Sequence, residues 1–300
     1  MSGNPAAGAP LPKAALSDEL KERIAERVRA WGVRAERAIA TGTSALVFGT
    51  REGRPVVVKI ARGLGDEWRS GEITAAFGGR GVVQVHDHVD GAALLERLVP
   101  GTPLVSLVLD GRDDEATEVL AALLRRMSPG DPPVACATVE AWGLGFERYL
   151  ATTDTQIPRE LVQHAQRVYS ELTAAQREPA LLHGDLQHYN VLRDERRGWV
   201  AIDAKGVIGE LEYEIGAALR NPYERPELVA SPDVIERRLA IFYAALGIDV
   251  DRARAWAFAQ AVLSAVWSVE DGHVVDASNA ALRLAIAIAQ SSVFRADFGA

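Results

Sequence analysis

Cysteine is almost absent from this chain of 300 residues, which contains only Cys136. A single cysteine cannot form a disulfide within the chain, and it leaves no cysteine and histidine cluster of the kind that binds zinc. We therefore expect a protein of a reducing compartment, in which Cys136 is a small, buried, apolar residue.

Long apolar runs are absent as well. No uninterrupted run in the sequence is long enough to span a bilayer, since a membrane helix needs about 20 apolar residues. The first residues also lack the charged and then apolar order of a secretion signal. We expect a cytoplasmic protein without a membrane partner, in which residues 1–16 form a flexible leader.

An excess of basic residues is also lacking, because 33 Lys and Arg stand against 41 Asp and Glu, for a formal net charge of −8. Proteins that bind nucleic acids need clustered Lys and Arg to contact the phosphate backbone. The composition therefore argues against a nucleic-acid partner and is compatible with a cationic small-molecule substrate. It does not indicate an oligomeric state.

The most informative stretch of the chain runs from Leu181 to Asp203. Its sequence is LLHGDLQHYNVLRDERRGWVAID. The apolar runs Ala180–Leu182 and Val200–Ile202 predict two short strands. The loop between these strands carries the polar residues His183, Asp185 and Asn190, and Asp203 follows the second strand.

This order of polar residues is typical of a phosphoryl-transfer site. One carboxylate orients and deprotonates an acceptor hydroxyl, and we assign that catalytic role to Asp185. An amide and a second carboxylate hold Mg²⁺ against the nucleotide phosphates, and Asn190 and Asp203 fit those roles. The alternative is a polar hairpin with solvated acids. We expect His183 to fix the loop through hydrogen bonds, because Asp185 already supplies the base.

Two changes in the kinase pattern indicate a small substrate. The His-Arg-Asp and Asp-Phe-Gly motifs of protein kinases are replaced here by His183-Gly184-Asp185 and Asp203-Ala204-Lys205. A glycine before the base suggests a kinase that acts on small molecules.

A lysine inside an apolar strand provides the second part of the predicted site. Lys59 lies in the strand Pro55–Ala61, where it is costly unless it meets a negative group. Kinases direct such a lysine at the α- and β-phosphates of ATP and steady it with a glutamate of the next helix. We select Glu72 in the helix Asp66–Phe77, because the helix dipole already accounts for Glu67. The alternative is an edge-strand lysine that points to water.

The remaining nucleotide contacts are predicted from the path of the chain. Thr43 and Ser44 lie in a turn that could cover the phosphates, although a plain hairpin turn explains it equally well. A break at Pro100, Gly101 and Pro103 predicts the hinge between two lobes. We expect main-chain groups of Glu96 and Leu98 to bond the adenine there, and the alternative is an ordinary strand-to-helix turn.

The order of predicted elements indicates an α+β, bilobal, protein-kinase-like fold. A helix at Ser17–Trp31 begins an N-terminal nucleotide-binding lobe, 17–98, built on an antiparallel sheet. The first three predicted strands of this sheet, Ala35–Thr41, Ala45–Thr50 and Pro55–Ala61, should form a meander. The catalytic and substrate-binding lobe, 99–300, is mostly helical. Its predicted helices are Asp113–Met127, Val139–Leu150, Pro158–Ala175, Tyr213–Leu219, Asp233–Leu246, Asp251–Asp271 and Ala277–Phe294.

Four segments carry a resemblance to a known family. HGDLQHYNVL, IDAKGVIGE, ALRNP and LSAVWSVEDG resemble the aminoglycoside/hydroxyurea antibiotic resistance kinases, in particular the streptomycin 6-phosphotransferases. The resemblance implies ATP and Mg²⁺ as cofactors and transfer of the γ-phosphate to a hydroxyl of a cationic aminoglycoside, with antibiotic resistance as the associated property. Asp185 matches the family's base, Asn190 and Asp203 its metal ligands, and Lys59 its phosphate-binding lysine.

Two positions beside the base depart from the family pattern. Gln187 stands where members tend to have histidine, and Tyr189 where they tend to have an acid. Replacing a carboxylate by tyrosine removes one anchor for a cationic substrate. The acceptor could therefore be a sugar, an amino alcohol or hydroxyurea, and a nucleotide-binding pseudokinase is a further alternative.

Acidic residues near the C-terminus provide candidate contacts for a cationic acceptor. Trp267, Glu270 and Asp271 would offer an aromatic plane beside two acids at the end of one helix. A second acidic group lies just beyond the metal loop, at Glu210, Glu212 and Glu214. The alternative for both groups is a solvated acidic surface.

Overall fold

The computed structural model describes residues 17–127, 132, 136–291 and 294. The predicted leader, 1–16, and most of the predicted loop at 128–137 lie outside the described residues. Cys136 is partly buried and packs against the main core.

The N-terminal part of the chain is a helix followed by a five-stranded antiparallel sheet, which we call the sheet lobe. Helix α1, Asp18–Ala30, begins where the Ser17 side chain accepts a hydrogen bond from the N–H of Leu20 at 3.2 Å. The strands lie in the order β1-β2-β3-β5-β4, which confirms the predicted meander of the first three. Their bounds are Arg34–Ala40 (β1), Ser44–Arg51 (β2), Arg54–Ala61 (β3), Val85–Val89 (β4) and Ala92–Glu96 (β5).

The segment predicted as one helix over 66–77 has two parts. Asp66–Arg69 forms a 3₁₀ turn, and helix α2 begins only at Ser70 and ends at Ala76. Helix α2 packs very closely on the sheet, since a Cβ on Gly71 would lie 2.8 Å from the Cβ of His88. This split changes which acid reaches the site.

The predicted hinge is partly a strand. Residues Pro100–Pro103 form β6, which pairs with β9, Val191–Asp194, and β9 pairs in turn with β10, Gly198–Ala201. Two prolines and a glycine argue against a strand, but they are tolerated here because β6 is an edge strand with an irregular register. The connection between the lobes is therefore paired with β9, the strand that directly follows Asn190. A boundary after residue 98 stays a prediction.

The rest of the chain is mostly helical, and we call it the helical lobe. Its long helix α10 is buried at every residue from Ala253 to Trp267, as expected for a helix that is apolar on all sides. Helices α6, α7 and α11 pack around it. The helices are Val105–Leu109 (α3), Asp113–Arg126 (α4), Val139–Leu150 (α5), Arg159–Ala174 (α6), Leu211–Leu219 (α7), Pro226–Val229 (α8), Pro232–Leu246 (α9), Val250–Glu270 (α10) and Ala280–Gln290 (α11).

A second small sheet lies next to the predicted base. It has the order β7-β11-β8, with bounds Ala137–Thr138 (β7), Ala180–Leu182 (β8) and Val207–Gly209 (β11). The antiparallel pairing of β8 with β11 brings the loop after Leu182 beside the loop before Val207. The antiparallel sheet lobe joined to a helical lobe confirms the predicted fold class. None of the helices among the described residues combines the length and apolar character needed to cross a bilayer.

Candidate active site

The loop between β8 and β9, residues 183–190, is called the base loop below. Its two predicted functional residues meet, because the Asn190 Nδ2 donates at 2.9 Å both to Oδ2 and to the main-chain oxygen of Asp185. The amide nitrogen is thus used to hold the acid. Among the described residues no hydrogen bond reaches the Asn190 Oδ1, which leaves this oxygen available to a metal ion.

Asp185 is a buried acid that is held on both oxygens. Its side chain is 4% exposed, and its Oδ1 accepts a hydrogen bond from Nη2 of Arg220 at 3.0 Å. Burial raises the pKa of Asp185 to about 6, against the opposing effect of the Arg220 charge. The carboxyl group therefore titrates just below neutral pH, which suits a general base.

His183 fixes the base loop to the loop before Asp203. Its Nε2 lies 2.9 Å from the carbonyl oxygen of Ile202, and its Nδ1 accepts the main-chain N–H of Asp185 at 3.3 Å. Burial lowers the pKa of His183 to about 4, so that the ring is neutral at physiological pH. This arrangement agrees with the structural role predicted for His183.

Sequence reasoning grouped Glu214 with candidate acceptor contacts, whereas the structure shows that it supports the base loop. The Glu214 carboxylate, in the first turn of α7, accepts the N–H of Gly184 at 2.9 Å and the N–H of Leu186 at 3.0 Å. Burial raises the pKa of Glu214 to about 7. The available signal was an acid within the short, mostly apolar helix α7, where a buried carboxylate must find partners.

The glycine before the base is required by the conformation of the loop. Gly184 has a φ of +84°, and a Cβ at this position would lie 2.9 Å from Cη2 of Trp142. Any other residue would therefore be strained and would also contact the indole ring too closely.

Asp203 belongs to a cluster of four charges that we call the ion-pair ring. Its Oδ1 pairs with Lys59, and its Oδ2 lies 3.1 Å from Nζ of Lys205. Glu67 closes the ring, since its two oxygens pair with Lys59 and Lys205. The ring thus joins β3 and the 3₁₀ turn of the sheet lobe to the loop after β10.

The partner predicted for Lys59 is wrong. Lys59 pairs with Glu67, whose side chain is 8% exposed, whereas Glu72 is 36% exposed and accepts a hydrogen bond from Nε of Arg69 at 2.8 Å. The reason is the 3₁₀ turn: because α2 begins only at Ser70, Glu67 lies ahead of the helix and its side chain reaches the buried lysine.

The charges of the ring stabilise one another. Burial would raise the pKa of Asp203, but Lys205 and Lys59 hold it well below its usual range. Burial would lower the pKa of Lys205, but Asp203 and Glu67 raise it well above its usual range. Asp203, Lys59 and Lys205 are therefore ionised at neutral pH.

The oxygens of Asn190 and Asp203 are the donor type that Mg²⁺ prefers. Asp203 has a φ of +63°, an uncommon conformation for a non-glycine residue, and its side chain is 30% exposed. Within the part of the chain that the structure describes, no group of three or more His, Cys, Asp or Glu side chains could hold a metal ion. Asn190 and Asp203 could therefore supply two oxygen ligands to a Mg²⁺ ion.

The residues predicted to contact the nucleotide differ in availability. Thr43 lies at an exposed position between β1 and β2, whereas the buried Ser44 hydroxyl is 3.1 Å from Oγ1 of Thr41. The main-chain N–H of Glu96 donates to Gln84 at 3.0 Å, and its carboxylate pairs with Arg197. The main-chain N–H and carbonyl of Leu98 form no hydrogen bond within the described residues.

Two residues predicted for the acceptor have structural contacts instead. Glu210 is fully buried, and its carboxylate accepts hydrogen bonds from Arg252, from Trp256 and from the main-chain N–H of Arg177. Trp267 is 3% exposed and packs edge-to-face on Trp142, with ring centroids 5.7 Å apart. Neither offers the exposed acid or aromatic plane that the sequence predicted, because α10 is surrounded by other helices.

The other two predicted acceptor residues lie at the surface. Glu270 pairs with Arg148 through two hydrogen bonds of 2.8 and 3.0 Å, and Asp271 is exposed. Glu270 and Arg148 lie on the wall of a cleft of about 620 Å³, together with Tyr149, residues 152–156 and Val269. Glu212, from the second acidic group, accepts the N–H of Asp249 at 3.2 Å.

Comparison with known proteins places the chain in a family. The model of the aminoglycoside/hydroxyurea antibiotic resistance kinases matches residues 30–272. A streptomycin 3''-kinase of Klebsiella pneumoniae is 33% identical over 81% of this chain and 91% of its own length. A hydroxyurea phosphotransferase of Kitasatospora aureofaciens is 33% identical over 85% and 75%, and a streptomycin 6-kinase of Streptomyces griseus is 30% identical over 83% of each chain.

A solved structure supports the fold. The chain resembles a thermostable mutant of aminoglycoside phosphotransferase APH(4)-Ia, solved as a ternary complex with ADP and hygromycin B, with a TM-score of 0.60 at 16% identity, over 89% of this chain and 98% of that one. At this identity the likeness concerns the fold alone. From the family match over residues 30–272 and the relatives at 30% identity or more, the chain belongs to the aminoglycoside/hydroxyurea antibiotic resistance kinase family, a family of phosphotransferases.

Proposed function

We propose that this protein transfers the γ-phosphate of ATP, in the presence of Mg²⁺, to a hydroxyl of a small cationic acceptor in the cytoplasm, and that this acceptor is an aminoglycoside of the streptomycin type. The observation that carries the proposal is the state of Asp185. It is a buried carboxylate, it is held by Arg220 and Asn190, and its pKa is about 6.

Asp185 acts on the acceptor hydroxyl in this proposal. Its two hydrogen bonds fix the direction of the carboxylate before the substrate arrives, which avoids reorganisation during the reaction. At neutral pH the group is mostly ionised and can accept the hydroxyl proton as the phosphoryl group transfers.

Asn190 and Asp203 are the proposed metal ligands. When bound, Mg²⁺ would neutralise the charge that spreads over the phosphate oxygens during transfer. The Asn190 Oδ1 is available for this role, and Asp203 would exchange at least one of its lysine partners.

Lys59 is the proposed contact to the α- and β-phosphates, and Glu67 takes the steadying role first assigned to Glu72. Thr43 and Ser44 stay candidates for covering the phosphates. For the adenine, the unused main-chain groups of Leu98 fit better than the N–H of Glu96, which is already bonded.

The acceptor is proposed from the relatives and from the surface acids. Two of the relatives described above are named streptomycin kinases. Glu270 and Asp271 could receive cationic groups, although Glu270 would first leave Arg148. Trp267 could support this surface only from beneath, because its ring is buried.

A second candidate acceptor is a less cationic hydroxyl compound such as hydroxyurea, a sugar or an amino alcohol. Tyr189 favours it, since this tyrosine stands where an acid was expected. Its ring stacks on Tyr223 at a centroid distance of 4.9 Å, and its buried hydroxyl has no hydrogen-bond partner among the described residues. One relative is named a hydroxyurea phosphotransferase.

The test is a turnover assay with ATP, Mg²⁺ and a panel of acceptors: streptomycin, hydroxyurea, sugars and amino alcohols, with the phosphorylated product identified by mass spectrometry. We expect streptomycin to be phosphorylated. Asp185→Asn should lower turnover by about a thousandfold, because general-base catalysis contributes roughly 10²–10⁴, and should leave ADP affinity nearly unchanged. Asp90→Asn, at an exposed acid of the sheet lobe, is the matched control.

Each contrary result points to a different error. Full turnover by Asp185→Asn would remove the proposed base. Phosphorylation of hydroxyurea or a sugar, but of no aminoglycoside, would select the second candidate. ADP binding without phosphorylation of any acceptor would favour the nucleotide-binding pseudokinase.

A further inference from the structure

Lys205 has no counterpart in the kinase pattern from which the site was predicted. It occupies the position of the glycine in Asp-Phe-Gly, two residues after Asp203. Its main-chain N–H donates to the carbonyl of His183 at 2.9 Å, which fixes it to the base loop. Its side chain is 8% exposed, so a full positive charge is buried within the candidate site.

The ion-pair ring contains as many cations as anions. Lys59 and Lys205 alternate with Glu67 and Asp203, and each lysine contacts both acids. Either lysine could therefore leave while the other still contacts both carboxylates. This redundancy matters, because removing the partner of a buried charge is strongly unfavourable.

The two lysines differ in whether their side chains are expected to change partners when a nucleotide binds. Lys59 lies on β3 of the sheet lobe and, under the proposed function, must turn to the nucleotide phosphates. Lys205 lies in the helical lobe between β10 and β11, with its main chain bonded to His183. Its charge also acts on Asp185. Lys205 is thus the cation that stays.

We propose that Lys205 is the resident counter-ion of the ion-pair ring, which keeps Glu67 and Asp203 paired when Lys59 moves to the nucleotide phosphates. Lys205 is a positioning residue in this account, because it acts through its neighbours. The inference rests on the proposed nucleotide role of Lys59. Without Lys205, one lysine would face the two carboxylates of Glu67 and Asp203, and the site would repel a polyphosphate.

The test measures ADP binding without metal by calorimetry, so that it does not depend on turnover. Lys205→Met should weaken ADP binding by about tenfold, because the loss of one charge pair typically changes an affinity by about this factor. Lys205→Arg should retain most of the affinity. Lys21→Met, at an exposed lysine paired only with Asp18, is the matched control and should bind as the wild type does.

A second variant separates charge balance from a merely structural role. Lys205→Met leaves one cation with two anions, and adding Glu67→Gln restores one of each. We expect the double variant Lys205→Met, Glu67→Gln to bind ADP at least about threefold more tightly than Lys205→Met, because the surplus charge is gone. It should still bind less tightly than the wild type, because Glu67 no longer steadies Lys59. A purely structural contact would not be restored by removing its second partner.

The outcomes are distinct. If Lys205→Met binds ADP as the wild type does, or if the double variant binds no better than Lys205→Met, the inference is overturned. Thermal unfolding shows whether each variant is folded. If Lys205→Met does not fold, the ADP affinities of Lys205→Arg and of the double variant still test the inference. If the wild type does not bind ADP even when Mg²⁺ is added, the proposed function fails first.

Discussion

The base loop and the ion-pair ring are neighbours, but they are stabilised in different ways. The base loop is held by hydrogen bonds from its own main chain to the buried acid Glu214, and by His183. The ring is held by ion pairs between side chains of the two lobes. The hydrogen bonds of the base loop involve groups that are not expected to contact a substrate. The ion pairs of the ring involve the side chains that the nucleotide and the metal would contact.

The difference indicates that only one half of the site is preorganised. Asp185 can keep its orientation whether or not a ligand is bound, because Arg220 and Asn190 belong to the protein's own fold. Under the proposed function, Lys59 and Asp203 would exchange partners when a nucleotide and a metal ion bind. Nucleotide binding should therefore rearrange the ring and leave the base loop unchanged.

The largest effect is expected from removing the support of the base loop. Glu214→Ala leaves the N–H groups of Gly184 and Leu186 without their buried acceptor, which should lower the free energy of unfolding by about 3 kcal/mol. Turnover should fall as well, because the loop carries Asp185. Urea unfolding and the acceptor assay measure the two effects.

The control for this change is Glu224→Ala, at an exposed acid beyond the same helix, which should alter the free energy of unfolding by less than about 0.5 kcal/mol. If Glu214→Ala unfolds at the same urea concentration as the wild type, the loop does not depend on this carboxylate.

An intermediate effect is expected in the pH dependence of turnover. The raised pKa of Asp185, about 6, predicts that turnover falls as the pH drops below that value, because the protonated acid cannot accept a proton. The Arg220 charge favours the ionised form, so Arg220→Gln should raise the pKa and move the acidic limb to higher pH. Arg225→Gln, at a partly exposed arginine, is the control.

Glu214 could also contribute to the acidic limb of this pH profile, because the pKa of Glu214 is raised to about 7. Its contribution must be distinguished from that of Asp185. Glu214→Gln removes its titration while keeping an oxygen acceptor for the loop. The acidic limb should persist in Glu214→Gln, and its disappearance would transfer the titration from Asp185 to Glu214.

The smallest effect distinguishes the two acids near Lys59. Glu72→Gln removes a partly exposed pair with Arg69 and should change the free energy of unfolding by less than about 0.5 kcal/mol. Glu67→Gln removes an acid of the ring and should cost about 2 kcal/mol or more. Thermal or urea unfolding measures the stability of both variants. Equal losses would mean that Glu67 in the ring is no more important for stability than the partly exposed Glu72.

Much of the fold could be predicted from local patterns. The bounds of α5 agree with the prediction residue for residue, and the first three strands agree to within one residue at each end. Their signals are periodicity, capping residues and glycine turns, which act over a few residues of sequence. The strand at Pro100–Pro103 was missed because its pairing with β9 is a long-range contact that no local pattern indicates.

The candidate site divides in the same way. The order and spacing of Asp185, Asn190 and Asp203 were enough to predict phosphoryl-transfer chemistry, because kinases present a base, an amide and a metal-binding acid in that order. The family was indicated by the resemblance of four longer segments. By itself the sequence determined which polar groups are present and which segments carry them.

Only the tertiary structure decided which charges are partners. Glu67 rather than Glu72 reaches Lys59, Lys205 joins Asp203, and Glu210 is enclosed by Arg252 and Trp256. The ring also joins residues that are far apart in the sequence: Lys59 and Asp203 are 144 positions apart, and Glu67 and Lys205 are 138 positions apart. The physical reason is burial: a charge withdrawn from water must take whichever opposite charge the packing of the lobes brings within reach.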